Sequence, residues 1–445
     1  MIRKFTLLQV ILACCVRAAG LKAQTVVSTL AGDGTAGQVD GPAAQARFNL
    51  PYGIALDGSG NVYVADLGNQ QIRKITAAGT VVTYAGNGIR GYFDSPIALF
   101  AQFNSPKGLA ADASGNVYVT DSGNGSIRKI SPAGQVSTVA GDGNQGYVDG
   151  PAAFARFSGP AGVAVGDEKA LYVADVGNYR IRKIDSLGNV TTVAGGTPRA
   201  YVDGPEAIAR FLEPTGIVRD AAGNLLVADR AAHAVRLVSP TGTVSTLAGT
   251  GSAGYQDGPI AVARFTSPIG LALDAAGNIY VAERDGYRIR RISPAGLVST
   301  VAGAGPPAGF ADGPALTARF NGPFGLAYNP STRELTVSDI GNNRIRRISG
   351  LPLRVLPAET GLMRLEAVPN PASGYLEVRC AASSQTPPPL ELLDALGRVV
   401  AVAGGQFKGS YYAWNLNVAM LQSGIYFCRV VIDHHTLVHR VAVMH

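Results

Sequence analysis

Acids recur along this chain at a spacing that could build a ring of carboxylates. Asp66, Asp121, Asp175, Asp229, Glu283 and Asp339 follow one another at steps of 55, 54, 54, 54 and 56 residues, each closing an apolar run. Asn69, Asn124, Asn178 and Asn343 stand just behind four of them. Several such acids brought together could hold a cation. Asp and Asn side chains also hydrogen-bond nearby backbone and shape tight turns, and a residue repeated in every unit is explained most simply by a repeated fold, so a structural turn role is expected. A second set places an arginine seven residues after an acid: Asp40 and Arg47, Asp149 and Arg156, Asp203 and Arg210, Asp257 and Arg264, Asp312 and Arg319. These could form acid–base pairs. The plainer expectation is that Asp-Gly-Pro caps a short helix, its carboxylate accepting an orphan backbone N–H, while the arginine pins each loop to its neighbour. The second unit has Asp94 but Gln102, so the pair is not obligatory.

Two residues before those acids stand Tyr92, Tyr147, Tyr201, Tyr255 and Phe310, with Gln38 in the first unit. Such rings could stack on a sugar or another flat ligand, or pack beneath their own loops. A site for one particular ligand should break the repeat. The residue inside Pro-x-Gly does so: it is Tyr52, Lys107, Ala161, Thr215, Ile269 or Phe324, and Glu213 is the one acid preceding such a proline. Tyr52, Lys107, Glu213, Thr215 and Phe324 are therefore the expected ligand-binding set. No catalytic residue is assigned. His233 is the one histidine between residues 25 and 350, and no cysteine lies there, so neither a histidine zinc site nor a Cys/His or Ser/His/Asp set can be assembled. No metal and no cofactor are expected.

The elements that must position these residues are short strands. NVYVADLGNQQIRKI from Asn61 returns as NVYVTDSGNGSIRKI from Asn116, LYVADVGNYRIRKI from Leu171, NLLVADRAAHAVRLV from Asn224, NIYVAERDGYRIRRI from Asn278 and ELTVSDIGNNRIRRI from Glu334. Each unit adds a Pro-x-Gly-apolar strand and a V-S-T-x-A-G strand, the content of a propeller blade. The sixth unit lacks the V-S-T-x-A-G strand, and the unpaired copy is Thr25 to Gly32. An all-β, six-bladed β-propeller over residues 25–350 is expected, with the N-terminal strand completing blade six and removing an open edge. A Pro-x-Gly-apolar strand followed by strand-Asp-x-x-Asn-x-Arg-Ile resembles NHL repeats. Related folds include lyases and lactonases with a channel metal, but these inner strands offer mainly Gly, Ala, Ile and Leu. The third strands carry Arg73, Lys74, Arg128, Lys129, Arg182, Lys183, Arg236, Arg290, Arg291, Arg346 and Arg347 spread evenly round the ring, which reads as a solvated rim, with an acidic polysaccharide as the other reading, and not as one nucleic-acid patch.

Residues 351–363 read as a linker, and 364–445 as a small Ig-like β-sandwich of short alternating strands. VPNPASGYLEV, LELLDALGRVV and LQSGIYFCRVV, in that order, resemble the type IX secretion C-terminal sorting domain of Bacteroidetes, which implies export by that machinery. Residues 1–23, with basic Arg3 and Lys4 and an apolar run from Phe5 to Val16, read as a signal peptide too short to span a bilayer; a lipoprotein signal at Cys14 is the other reading. Export would leave Cys380 and Cys428, an even pair able to form a disulfide or to fill the core. Of the formal charge of +7, loss of Arg3, Lys4, Arg17 and Lys22 leaves +3, which demands no anionic partner. Together these features predict a monomer without a transmembrane segment, secreted or on the outer cell surface, that binds an extracellular saccharide or protein. The competing expectation is an extracellular lyase or hydrolase acting at the channel mouth.

Overall fold

The computed structural model describes residues 24–351, 365–368, 372, 374–381, 386–394, 398–408, 411–432 and 435–443; the expected leader and most of the expected linker lie outside them. Two compact units divide the chain, Met1–Pro352 and Leu353–His445.

Among the described residues, the first unit contains six antiparallel sheets, each with a four-strand core. In the first of these, Pro51–Leu56 pairs with Val62–Asp66, then Gln71–Ile75, then Thr80–Ala85. The N-terminal strand Val26–Ala31 is separated in sequence from its sheet and pairs with Arg344–Ser349, Val26 opposite Ser349 and Val27 opposite Ile348. The chain ends of the unit are thereby joined by a ladder of backbone hydrogen bonds.

The Pro-x-Gly strands pack side by side in chain order, and the last of them, Pro323–Asn329, lies against Pro51–Leu56. Glycine is required here by close approach. A Cβ on Gly270 would sit 1.9 Å from the Phe324 carbonyl oxygen, and one on Gly325 2.5 Å from that of Tyr52. Only a residue without a side chain lets the inner strands come this near. Apolar side chains such as Val64, Ile72, Ile75 and Val81 fill the space between neighbouring sheets.

Among its described residues, the second unit has two four-stranded sheets. Tyr375–Ala381 and Tyr411–Asn417 form the centre of one, Leu390–Leu393 and Gly424–Ile432 the centre of the other. Leu376, Leu392, Tyr412, Trp414 and Val430 share one buried core.

Candidate functional site

Each second strand ends in its acid, which is fully buried. Asp175 shows the arrangement: one carboxylate oxygen accepts the Ser158 backbone N–H at 2.7 Å, and the other accepts from Asn178 Nδ2 and from Arg182, both at 2.8 Å. Arg182 is also wholly buried, and all five of its N–H groups are used. They reach Asp175, Asp149 and the carbonyl oxygens of Val148 and Arg156. Its guanidinium lies between the rings of Phe157 and Tyr147, each 4.9 Å away. Asp149 then accepts from the Thr192 backbone N–H and hydroxyl on the outer strand. One arginine therefore ties the long loop, the turn and the outer strand together. The acid–arginine pair repeats with Asp66 and Arg73, Asp121 and Arg128, Asp229 and Arg236, Glu283 and Arg290, and Asp339 and Arg346, although the Nε of Arg73 and of Arg236 has no hydrogen-bond partner among the described residues. Burial pushes the Asp66 carboxyl up to about 6, against the pull of the Asn49 N–H, Asn69 and Arg73.

This arrangement corrects several expectations. Arg73, Arg128, Arg182, Arg236, Arg290 and Arg346 are core residues, not a solvated rim. Asp40 does not pair with Arg47: it binds Arg73 and the Thr83 N–H, while Arg47 binds Asp33 at 2.7 Å. Arg156 likewise turns to Asp142. Nor does Asp-Gly-Pro cap a helix; Gly41–Pro42 is a two-residue strand beside Thr80–Ala85. In the sixth unit the asparagine that reaches the acid is Asn342, and Asn343 instead accepts the Leu50 N–H. His233 does the same job, its Nδ1 accepting the Ser267 N–H, so it is half-buried and engaged.

The five loop aromatics are placed by the same arginines. Tyr92, Tyr201 and Tyr255 stack at 5.0, 4.7 and 5.1 Å on Arg128, Arg236 and Arg290, and Phe310 at 4.8 Å on Arg346. Arg180, Arg288 and Arg344 cover the other faces of Tyr147, Tyr255 and Phe310. Tyr92 and Tyr147 line two separate cavities, of about 500 and 490 Å³.

The structure gathers the residues inside Pro-x-Gly. Lys107, Thr215 and Phe324, with Gly53, Gly162 and Ile269, line a cavity of about 70 Å³ between the inner strands. The Tyr52 and Phe324 rings meet at 4.0 Å with a 44° tilt. Thr215 is buried and donates to the Ala228 carbonyl. Glu213 holds Arg230 at 2.7 Å. Burial pushes the Tyr52 hydroxyl up, opposed by the positive charges of Arg284 and Arg230. Desolvation pulls the Lys107 ammonium down, opposed by Glu213. Arg230 and Arg284 escaped the sequence reading because they sit at a variable turn position. The signal was there: the other units have Leu67, Ser122, Val176 and Ile340.

Cys380 and Cys428 carry free thiols in the core of the second unit, so the alternative of a disulfide is not realised. Burial pushes them up to about 11 and about 12. Among the described residues, no three His, Cys, Asp or Glu side chains converge to hold a metal ion, and no helix is long and apolar enough to cross a membrane.

Residues 48–75, 103–130 and 157–184 match the NHL repeat, and residues 367–444 match the secretion system C-terminal sorting domain. The chain therefore carries NHL repeats and a sorting tail that marks it for type IX export, to the cell surface or the medium. It is 31% identical to Protein SUPPRESSOR OF QUENCHING 1, chloroplastic, of Arabidopsis thaliana, over 58% of this chain and 26% of that protein. It is 29% identical to human NHL repeat-containing protein 2, over 57% of this chain and 40% of that one. The chain thus spans between a quarter and two-fifths of these relatives' length. Among solved structures, a protein of unknown function from Bacteroides thetaiotaomicron aligns with TM-score 0.59 at 22% identity, over 73% of this chain and 76% of that one. An auxiliary nutrient binding protein from the same organism aligns with TM-score 0.57 at 17% identity and the same coverage. These likenesses concern the fold.

Proposed function

We propose that this exported protein is a binding module, monomeric, whose ligand site is the mouth of the channel between the inner strands. The six sheets are read as six blades over residues 25–350, closed by Val26–Ala31, followed by a linker at 351–363 and an Ig-like sandwich at 364–445 that is the sorting domain. Residues 1–23 are read as its signal peptide.

One observation carries the reading. Five of the six positions made equivalent by the repeat line one cavity and the sixth, Tyr52, touches Phe324, and their side chains differ: two aromatics in tilted contact, a lysine and a threonine replace what a purely structural ring would keep uniform. A concave site lined by apolar surface with a few polar groups is where ligands bind by default. An extracellular saccharide or protein is the ligand class, and the nutrient-binding description of one structural neighbour is of the same kind. A glycan and peptide array probed with the full-length protein tests this. Binding that disappears on Phe324→Ala, while Tyr147→Ala leaves it in place, supports the mouth; the reverse pattern moves the site to the loop aromatics.

A further inference from the structure

The mouth carries charge that no other part of the repeat shares. Arg230 and Arg284 begin the turns after the second strands of units four and five. Glu213 holds Arg230 at 2.7 Å. Asp285 is 3.9 Å from Arg284, beyond hydrogen-bond range. Lys107 lines the cavity and is partly buried, yet among the described residues its ammonium has no ion-pair or hydrogen-bond partner. Three cations thus accompany two acids. One acid is held tightly and one loosely, and one cation is left over in half-dry surroundings.

A cation removed from water without a partner costs free energy. The repeat shows that the cost is avoidable, because Ala161, Ile269 and Phe324 occupy the same position in other units. The arrangement is therefore complete only when an anion arrives. A single unpaired positive charge matches a monoanion. The cavity of about 70 Å³ admits one small group, not a ring. Beside it the Tyr52 and Phe324 pair offers an apolar platform of the size that a pyranose C–H face covers.

We infer that the channel mouth recognises a hexuronate unit of an acidic saccharide, its carboxylate drawn to Lys107 and its sugar ring resting on Tyr52 and Phe324. This rests on the reading of the mouth as the ligand site. The carboxylate supplies the missing counter-charge in a partly desolvated place, where a charge-assisted hydrogen bond is strong. Glu213, held by Arg230 and close enough to act on Lys107, repels a second negative charge brought beside the first.

The test is calorimetric titration of the full-length protein with trigalacturonate, with its trimethyl ester, and with a short peptide ending in a free carboxylate. The inference predicts that the acid binds at least tenfold more tightly than the ester. Lys107→Met weakens the acid at least tenfold, Lys107→Arg preserves binding, and both variants melt as cooperatively as the parent. Equal binding of acid and ester, or an unchanged affinity in Lys107→Met, overturns it. So does binding of the peptide in place of the saccharide. If the ester binds as well as the acid and Phe324→Ala abolishes both, the mouth stands as the site and the acidic ligand falls. If no saccharide or peptide binds, both readings fall together.

Discussion

Arg182 and Lys107 are both cations drawn out of water, and they are treated in opposite ways. Arg182 is wholly buried, with five donated hydrogen bonds, two acids and two aromatic faces. It has a counterpart in every unit. Lys107 is partly buried, has no partner among the described residues, and stands alone in the ring. Charge that the repeat copies is satisfied within the fold; charge that appears once is left for something outside it.

The largest effect that could break this comparison is expected at the copied charge. Arg182→Leu leaves Asp175 buried without its main counter-ion, and a broken buried pair costs about 3–5 kcal/mol. Urea denaturation should show that loss, whereas Arg180→Ala, on the outer face of Tyr147, should cost less than about 1 kcal/mol. Next comes the inner ring. Gly270→Ala forces a methyl group against the Phe324 carbonyl, and overpacking of this kind costs about 1–3 kcal/mol.

The buried acids also set a pH dependence. Asp66, Asp121, Asp175, Asp229, Glu283 and Asp339 are all pushed up by burial. A raised folded-state value means that the native protein binds more protons than the unfolded chain, so stability falls as pH rises. For Asp66 the window runs from the ordinary 3.8 to about 6. Asp33, Asp57, Asp112, Asp142 and Asp185 are held low by hydrogen bonds, and their contribution is lost as pH falls below 3.8. The melting temperature of the full-length protein should therefore peak at about pH 4. A curve that rises steadily from pH 4 to 7 would contradict the raised set.

The smallest effect sharpens the other side. Desolvation lowers the Lys107 value, and a lowered lysine contributes stability only when neutral, so its charged form costs stability at pH 7. Lys107→Met should raise stability by up to about 1 kcal/mol. A gain in stability with a loss of ligand is what a functional position shows.

Much of this was legible in the sequence because it is local. Pro-x-Gly, the Asp-turn-Arg-Ile hairpin and the unpaired Thr25 to Gly32 strand need no knowledge of distant contacts, and Val26–Ala31 does lie beside Arg344–Ser349. The buried arginines were hidden because Asp40 and Asp66 reach Arg73 from 33 and 7 residues away, and neither partner is marked by composition. One clue existed. In Ala234–Val238 the second basic position has become Leu237 while Arg236 is kept, as expected if the first points inward and the second to solvent. The seven-residue Asp–Arg spacing misled because the isolated bridge Val39 to Arg47 brings the backbone of Asp40 and Arg47 close, while the side chains of Asp40 and Arg47 go to Arg73 and Asp33. At the mouth, Tyr52, Lys107 and Phe324 were visible as differences between repeats. Arg230 and Arg284 were not, since a turn position that varies freely draws no attention.

The central claim is that the unpaired mouth cation serves a ligand whereas the paired ring serves the fold. Titrating trigalacturonate into the parent, Lys107→Met and Arg182→Leu proteins, each with its urea midpoint, tests it in one experiment. The account predicts that Lys107→Met loses affinity with its midpoint unchanged or raised, and that Arg182→Leu loses stability first and keeps affinity while folded. A Lys107→Met protein that is destabilised yet binds as tightly as the parent would contradict it.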